Sequence, residues 1–292
     1  GAIAMHIYSL AHLLPAGQGI VEAADPKNPW PFGRFWKDFR IAVHPSCNSS
    51  LDLAWQLEKQ GRFLPGDSVL CLEQSSGRGR MRRQWASPAG NIYAALRLAE
   101  PEDASAGELL SLLVAYCLLQ ALRRKRIQVQ LKWPNDLLLE GRKIAGLLIE
   151  HKPGAVIAGI GINLQVAPRL EQTRDSRLVP PGDLRQVWPE AEPLQAWAEL
   201  LYWTHLWYVH TIADFSVSGF VSEVRSYLWL LHRKVTVQTP SRAVCGYLLG
   251  LDAKGGLILD CKGRPEHINS GSIYAKFPVD ETSQGRNTKH ES

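Results

Sequence analysis

The sequence lacks both the cysteine pattern of a metal site and an apolar run long enough to cross a bilayer. Its five cysteines are scattered, with no C-x-x-C pair and no pair of histidines at metal-ligand spacing. We therefore expect reduced thiols in a cytoplasmic protein, most of them small core residues. The longest apolar stretch, residues 109–119, is interrupted by Ser111 and is about half the length of a bilayer-spanning helix. No charged segment with a long apolar core follows Met5, so we expect no signal peptide.

Positive charge is in excess, but it is not spread along the chain. The net charge is +5 at pH 7 and the isoelectric point is near 9.0, which is compatible with nucleic-acid binding. Much of the excess lies in two runs, residues 78–83 and 123–126. A local anion site explains this distribution at least as well as a DNA-binding face. The second run ends an apolar helix expected near residues 106–125, where cations are favourable. A docking patch for a protein partner is the alternative.

The main feature present is a segment rich in glycine and arginine between two expected strands, residues 73–93 (EQSSGRGRMRRQWASPAGNIY). Two of its glycines, Gly77 and Gly79, allow the backbone to come close to a ligand. Four guanidinium groups lie within six positions, at Arg78, Arg80, Arg82 and Arg83. Each is always charged, and its planar fork binds a carboxylate or phosphate with two hydrogen bonds. This combination favours an anion-binding loop, with a solvated basic loop as the alternative.

Neighbouring residues narrow the class of site. Arg82 occupies the position of the third glycine in a G-x-G-x-x-G pattern, so the segment is not a dinucleotide-binding motif. Trp85 lies beside the glycine-rich turn. A large aromatic side chain is not typical of a solvated loop, so Trp85 disfavours that alternative. Further along, alternating apolar residues at 127–131 predict a half-buried strand that presents Lys132 at its end. Taken alone, Lys132 would more often extend toward water beside Trp133.

Three motifs in this order resemble those of the biotin protein ligase family. They are spread over about 90 residues: the glycine-arginine segment from Gln74 to Tyr93, LKWPNDL at residues 131–137 and GIGINL at residues 159–164. The resemblance covers about residues 41–277. Its last part, with GYLLGLD at residues 246–252 and GGLIL at residues 255–259, is similar to the SH3-like C-terminal domain of bacterial members.

The resemblance implies an α+β fold: a biotin/lipoate ligase-like catalytic domain with a mixed or antiparallel sheet and flanking helices, then a small SH3-like β-barrel. We place the catalytic domain at residues 41–231, the barrel at 232–280 and a disordered tail at 281–292. Residues 1–40 are expected to form an irregular N-terminal extension. This extension is too short and too rich in proline for the winged-helix DNA-binding domain that some biotin ligases carry, so we expect no DNA binding.

The resemblance also implies a biotin site. In the family a Ser-Thr-Asn triplet contacts the ureido ring of biotin, and the matching residues here are Ser46, Cys47 and Asn48. The thiol of Cys47 replaces a stronger hydroxyl donor. On residue type alone, Ser46 and Asn48 are more typical of helix caps. The other biotin-binding residues that the resemblance implies are Gln74, Gly77, Arg78, Gly79, Arg80, Lys132 and Gly146.

A nucleotide site and the catalytic groups follow from the same resemblance. The implied nucleotide-binding residues are Arg78, Arg83, Trp85, Asn163 and Lys276. Catalysis is assigned to Arg80, Arg83 and Lys132, whose charges would neutralise the phosphate without any covalent enzyme nucleophile. Asp136 is a candidate magnesium ligand, and the alternatives for it are orienting Lys132 or capping a turn.

The implied function is that of an ATP-dependent biotin protein ligase. Biotin would be activated as biotinyl-5'-AMP and then transferred to a specific lysine of a biotin carboxyl carrier protein, from acetyl-CoA carboxylase or a related carboxylase. ATP and Mg2+ are the expected cofactors, and the chain is expected as a monomer or homodimer that binds neither DNA nor a membrane. One alternative is a lipoate or octanoate ligase or transferase. Arg82 stands at a position where the family usually has glycine, and Gly271-Ser272 replaces a common glycine-glutamate pair. With Cys47, these departures keep a second alternative open, a catalytically weakened biotin-binding module.

Overall fold

The structure is a computed structural model that describes residues 5–14, 36–80, 84–85, 87–169 and 178–275. Its α-helices are α1 (Leu10–Leu13), α2 (Ser50–Lys59), α3 (Ala104–Glu108), α4 (Leu110–Arg124), α5 (Pro193–Ala213) and α6 (Val217–Arg225). The strands that precede α5 are β1 (His6–Ser9), β2 (Arg40–His44), β3 (Ser68–Cys71), β4 (Gly77–Arg78), β5 (Gln84–Trp85), β6 (Ile92–Leu98), β7 (Gln130–Lys132), β8 (Asp136–Leu139), β9 (Arg142–Lys152) and β10 (Ala155–Ile162). The strands that follow α6 are β11 (Lys234–Gln238), β12 (Ala243–Leu251), β13 (Leu257–Cys261), β14 (Arg264–Ile268) and β15 (Ser272–Ala275).

Eight strands form one mixed sheet, in the order β1-β2-β3-β6-β10-β9-β8-β7. Among the described strands of this sheet, β2 and β3 pair in parallel and the other neighbours pair antiparallel. The two short strands β4 and β5 form a separate antiparallel hairpin. The predicted α+β class with a mixed sheet is therefore confirmed.

Helices cover both faces of the large sheet. Because successive strand residues point to opposite faces, Leu70 packs with α4 and α5 whereas Val69 packs with α2. Helix α4 buries eleven of its fifteen residues, so it lies in the core as its apolar circumference predicts. In the described part of the chain, no helix is long and apolar enough to cross a membrane.

The first residues of the chain differ from the irregular extension that the sequence suggested. Strand β1 adds to the edge of the sheet beside β2, with His6 opposite Val43. Ser9 caps α1 by accepting a hydrogen bond from the backbone N–H of His12 at 3.3 Å. Leu10 is fully buried, so the segment is part of the core. Its proline-bearing part, residues 15–35, lies outside the described residues, as does the predicted tail at 281–292.

The last five strands form a small antiparallel sheet in the order β14-β13-β12-β11-β15. This agrees with the small β-domain expected from the sequence, although strand β14 was not anticipated. The indole Nε1 of Trp133, directly after β7, donates to the carbonyl of Gly255 in the small sheet at 2.9 Å. The small sheet is thereby joined to the edge of the large sheet where the LKWPNDL motif lies.

Candidate active site

A cavity of about 680 Å³ opens between the two sheets and the glycine-arginine segment, a volume typical of small-molecule sites. Its walls come from the start of α2, strands β9 and β10, the turn after β7, and Gly271 and Ser272 beside β15. The basic residues that line it in the described chain are Arg78, Arg80, Lys132, Lys143 and Arg169, against a single carboxylate, Asp136. This excess of positive charge suits an anionic ligand.

Residues 74–80 and 84–85, which we call the arginine loop, are fixed on both sides. The side chain of Gln74 bridges two segments: its Oε1 accepts from the backbone N–H of Ser50, and its Nε2 donates to Ser87 Oγ, both at 2.9 Å. In the β4–β5 hairpin Gly77 lies opposite Trp85. A Cβ at Gly77 would come within 2.6 Å of the Trp85 carbonyl oxygen, so this close approach requires glycine.

Arg78 is held by two carboxylates from different elements. Its Nη2 lies 2.8 Å from Asp52 Oδ1 on α2 and 3.1 Å from Glu150 Oε1 on β9, and its Nη1 donates to Glu150 Oε2 at 3.2 Å. Glu150 Oε1 also accepts from the indole Nε1 of Trp55 at 3.0 Å. The guanidinium of Arg78 therefore already has two anionic partners in the protein.

Two lysines share one carboxylate at the other side of the cavity. Lys132 and Asp136 face each other across the β7–β8 hairpin, with Nζ 3.8 Å from Oδ2. Lys143, near the start of β9, places its Nζ 3.1 Å from the other oxygen, Oδ1. Asp136 thus holds both ammonium groups beside the cavity.

The residues around Trp85 form a flat wall with unused polar atoms. A Cβ at Gly146 or Gly161 would come within 2.8 Å of the Trp85 ring, so these glycines of β9 and β10 leave room for the indole. Lys143 Nζ lies 4.8 Å from the ring centroid. Asn163 is 1% exposed, and its Nδ2 donates to the carbonyl of Lys143 at 3.3 Å. Asn163 Oδ1 and Trp85 Nε1 are buried without a hydrogen-bond partner among the described residues, so both have unused hydrogen-bonding capacity.

The predicted triplet lies beside the cavity rather than in its lining. Cys47 bonds to the chain at the start of the arginine loop: its N–H donates to the carbonyl of Glu73 at 3.3 Å and its carbonyl accepts from the backbone N–H of Ser75 at 3.0 Å. Ser75 Oγ also donates to Asn48 Oδ1 at 3.0 Å. Cys47 and Cys71 form a disulfide, so the expectation that all five cysteines are reduced thiols is wrong for this pair.

The structure brings most of the predicted site residues together. Those that line the cavity are Gln74, Arg78, Gly79, Arg80, Trp85, Lys132, Asp136, Gly146 and Asn163. Those that are described but do not line it are Ser46, Cys47, Asn48 and Gly77. Arg83 and Lys276 lie outside the described residues, and their roles stay predictions. For Gly146 the close neighbour is the Trp85 ring, whereas the sequence suggested a direct approach to the ligand.

Sequence reasoning missed several residues of the lining, among them Ser49, Ser50, Lys143 and Arg169. Ser49 and Ser50 follow the triplet directly and reach the cavity in its place. Lys143 lies in the strand opposite LKWPNDL, and this position carries it to Asp136. Arg169 follows the GIGINL motif by five residues. The charge of Lys143 and Arg169 beside two motifs was the signal available for both.

The chemistry open to this site is electrostatic. No histidine and no free cysteine belongs to the described lining, which therefore contains no Ser-His or Cys-His pair. Burial raises the pKa of Tyr93 far above its usual value, and its hydroxyl donates to the carbonyl of Pro88 at 2.5 Å. Tyr93 is therefore a neutral group at physiological pH. The cations can stabilise an anion whose charge moves during the reaction.

Two family models match the chain. Residues 45–166 match the biotin/lipoate A/B protein ligase family, and residues 231–275 match the biotin protein ligase C-terminal domain. The biotin–[acetyl-CoA-carboxylase] ligase of Paracoccus denitrificans is 35% identical over 221 residues, which cover 70% of this chain and 89% of that protein. The enzyme of the same name from Mycobacterium tuberculosis is 25% identical, over 82% of this chain and 90% of its own.

Solved structures share the fold. The biotin protein ligase from Aquifex aeolicus in complex with biotin and ATP has a TM-score of 0.63 at 22% identity, covering 80% of this chain and 97% of its own. The biotin protein ligase from Leishmania major in complex with biotinyl-5-AMP has a TM-score of 0.55 at 21% identity, covering 79% and 98%. At these identities the comparison supports the fold, and the site has to be argued from its own residues.

Proposed function

The chain belongs to the biotin protein ligase family and is a ligase, and from this premise we propose a two-step reaction with biotin and ATP. In the first step a carboxylate oxygen of biotin attacks the α-phosphorus of Mg-ATP, and pyrophosphate leaves. In the second step the amine of a carrier-protein lysine attacks the acyl carbon of biotinyl-5'-AMP. AMP leaves with the bonding electrons, the nitrogen loses a proton, and an amide remains.

Activation is needed because a carboxylate cannot release oxide when an amine attacks it. Forming the adenylate replaces that leaving group with AMP. The protein needs to supply position and charge for this exchange, since ATP itself provides the leaving group. The excess of cations over carboxylates in the cavity lining is the observation that carries the proposal.

Arg80, Lys132 and Lys143 are the cations that we assign to the anionic substrates. Lys132 and Lys143 are held in place by Asp136, with Nζ to oxygen distances of 3.8 and 3.1 Å. Their charge would stabilise the biotin carboxylate and the phosphate as negative charge shifts toward pyrophosphate. Arg78 differs because two carboxylates already neutralise it, so we assign it no direct contact with phosphate. Arg83 is kept in the proposal as a further cation.

We assign the ring of biotin to the end of the cavity at the start of α2. Ser49, Ser50 and Gln74 offer hydroxyl and amide groups there, and Leu51 offers an apolar surface. A polar heterocycle on an apolar chain needs this combination, because buried polar groups reject ligands that leave them unpaired. Ser46, Cys47 and Asn48 would act behind this surface by holding the arginine loop.

We assign the nucleotide base to Trp85 and Asn163. The indole offers a flat face, and Asn163 Oδ1 is a buried acceptor without a partner among the described residues. An exocyclic amino group of a purine would satisfy such an acceptor, while its ring would stack on the indole. Lys276 lies outside the described residues and stays a predicted further contact.

The site does not fit a magnesium ion held by the protein alone. Both oxygens of Asp136 face lysines, and the described residues contain no group of three His, Cys, Asp or Glu side chains that could hold a metal. Magnesium commonly binds through substrate phosphates and few protein ligands. We therefore propose that magnesium enters as part of the Mg-ATP substrate, and that Asp136 orients Lys132 and Lys143.

The protein partner that we propose is a biotin carboxyl carrier protein. The Paracoccus relative is named for acetyl-CoA carboxylase, which makes the carrier domain of such a carboxylase the first candidate. The predicted cytoplasmic location, the monomeric or dimeric state and the absence of DNA binding stay predictions. A reducing compartment would keep Cys47 and Cys71 as thiols, so the state of this pair also reports the compartment.

The proposal is tested by pyrophosphate release with Mg-ATP and biotin, lipoate or octanoate supplied separately. An added biotin carboxyl-carrier domain is then weighed by mass spectrometry. We expect release that depends on biotin and a mass gain of one biotin on the carrier. Release with lipoate or octanoate instead would assign the chain to another acyl ligase. Tight biotin binding without any release would indicate a binding module.

A further inference from the structure

Asp52, Arg78 and Glu150 form a cluster that we call the carboxylate clamp. The three residues come from α2, the arginine loop and β9, so they join parts of the chain that are far apart in sequence. Arg78 makes contacts of 2.8 Å to Asp52 and of 3.1 and 3.2 Å to Glu150, which are short enough for charge-assisted hydrogen bonds. Glu150 is further fixed by Trp55 Nε1 at 3.0 Å.

The clamp restrains the described residues of the arginine loop near Arg78. Arg78 pairs with Gln84 in the β4–β5 hairpin, and the adjacent pair joins Gly77 to Trp85. Arg80 follows Arg78 by two residues and lines the cavity. Holding Arg78 therefore restrains Arg80 on one side of the hairpin and Trp85 on the other. Both are groups that the proposed function assigns to the substrates.

The charge of the clamp argues for a structural use of Arg78. Two carboxylates face one guanidinium, so the cluster carries a net charge of about −1 and repels phosphate rather than attracting it. The side chains are 38% exposed for Arg78, 55% for Asp52 and 26% for Glu150, which limits their effect on global stability. A small energy is nevertheless enough to shift the populations of a short loop.

We propose that Asp52 and Glu150 are positioning residues that act through Arg78 to keep the arginine loop in its ATP-binding arrangement. The inference rests on the proposed function, because it takes Arg80 and Trp85 as ATP contacts. It assigns the clamp to substrate binding rather than to the chemical step. Loss of the clamp should raise the KM for ATP while kcat at saturating ATP stays nearly constant, since bound ATP itself would hold Arg80 and Trp85 in place and Lys132 and Lys143 are unchanged.

The test compares R78A, D52N/E150Q and the triple variant with the wild type. We expect each to raise the KM for ATP by about 5-fold, with kcat within about 2-fold, as suits a partly exposed charge cluster. The triple variant should be no worse than R78A, because all three changes remove the same clamp. The control E58Q/E140Q removes two charges from α2 and the β8–β9 turn, at residues without a side-chain ion pair in the described chain, and should behave as wild type.

Changes in KM of the opposite sign would overturn the proposed role of the clamp. If Arg78 bound phosphate directly, D52N/E150Q would free its charge and lower the KM for ATP, while R78A would raise it. Hydrogen exchange of residues 74–85 in the ligand-free protein gives a readout that does not need activity. Faster exchange is expected in R78A, D52N/E150Q and the triple variant, and not in the control E58Q/E140Q. Unchanged exchange in these variants would overturn the inference, whereas a wild type that releases no pyrophosphate with biotin would overturn the proposed function.

Discussion

The cations around the cavity differ in how far the protein has already neutralised them. Arg78 has two carboxylate partners, whereas Lys132 and Lys143 share Asp136 between them. Arg78, Lys132 and Lys143 are all cations in the sequence, yet we assign them different roles. The two lysines that share one carboxylate suit the substrates, and the arginine with two carboxylates suits the loop. This distinction depends on the electrostatic surroundings of each side chain rather than on its type.

At the scale of single residues, we predict that R80A loses adenylation without losing the fold. Removing one preorganised cation from a developing negative charge typically slows a reaction by about 100-fold. The thermal midpoint should change little, because Arg80 is only partly buried. Biotin-dependent pyrophosphate release and a melting curve measure the two quantities. R264A, at an exposed arginine of β14, is the control. Full adenylation by R80A at unchanged stability would contradict the assignment.

A second prediction at this scale concerns Gly161. An added Cβ would lie 2.8 Å from the Trp85 ring, so G161A forces the indole and its hairpin to move. We expect the KM for ATP to rise by about 10-fold, the cost of disturbing one stacked contact. G107A is the matched control, because a Cβ there meets no atom within 4 Å and alanine favours the helix. An unchanged KM in G161A would remove Trp85 from the nucleotide site.

At the scale of elements, the basic end of α4 has an internal explanation. The guanidinium of Arg124 lies 3.6 Å from the centroid of the Trp203 ring, and Arg123 lies 4.9 Å from that of Tyr227. Lys125 pairs with Glu199 of α5 at 3.2 Å. These contacts join α4 to the elements packed on it, and they favour the helix-end interpretation over a docking patch for the carrier.

Another element-scale feature is the disulfide that ties β3 to the segment before α2. The cross-link closes a loop of 24 residues, which predicts roughly 3 kcal/mol of stability through the unfolded state. We therefore expect reductant to lower the thermal midpoint of the wild type. The thermal midpoint of C47A/C71A should not change with reductant. That of C245S, which changes a free thiol, should fall with reductant as the wild type does. A wild type that melts equally with and without reductant would contradict this expectation.

At the scale of the whole molecule, the small sheet completes the cavity. Gly271 and Ser272 line it, and Trp133 bonds to Gly255 across the boundary at 2.9 Å. A Cβ at Gly255 would lie 2.8 Å from both Leu109 and Leu112, so the sheet approaches α4 too closely for any side chain there. The position of the small sheet thus sets one wall of the site.

We predict that G255A weakens this docking and lowers adenylation. Overpacking typically costs about 1–3 kcal/mol, which should appear as a lower free energy of unfolding together with slower pyrophosphate release. G263A is the control: both glycines have a positive φ, 79° for Gly255 and 83° for Gly263, but a Cβ at Gly263 meets nothing within 4 Å. Backbone strain is therefore similar in the two variants. Equal losses of stability and of pyrophosphate release in G255A and G263A would show that backbone strain alone is responsible.

The sequence by itself determined the elements and the family. Hydrophobic periodicity predicted the buried helix near residues 106–125, which the structure has as α4 (Leu110–Arg124) after the short α3, because such a helix depends on local burial patterns. The three motif strings contain half of the residues that line the cavity, because short segments that meet a ligand carry their polar groups in a recognisable order. The mixed sheet and the small β-domain followed from the same resemblance.

Only the tertiary structure decided which partners those residues have. The sequence placed Arg78 and Arg80 in one class, and it could not show that Asp52 and Glu150, 26 and 72 residues away, reach Arg78. It also could not show that Cys71 forms a disulfide with Cys47, a residue that was expected to contact the ureido ring of biotin. Such pairings arise from strand register and helix packing over long sequence separations. Local sequence patterns do not reveal such pairings, because each partner is a common residue type in its own segment.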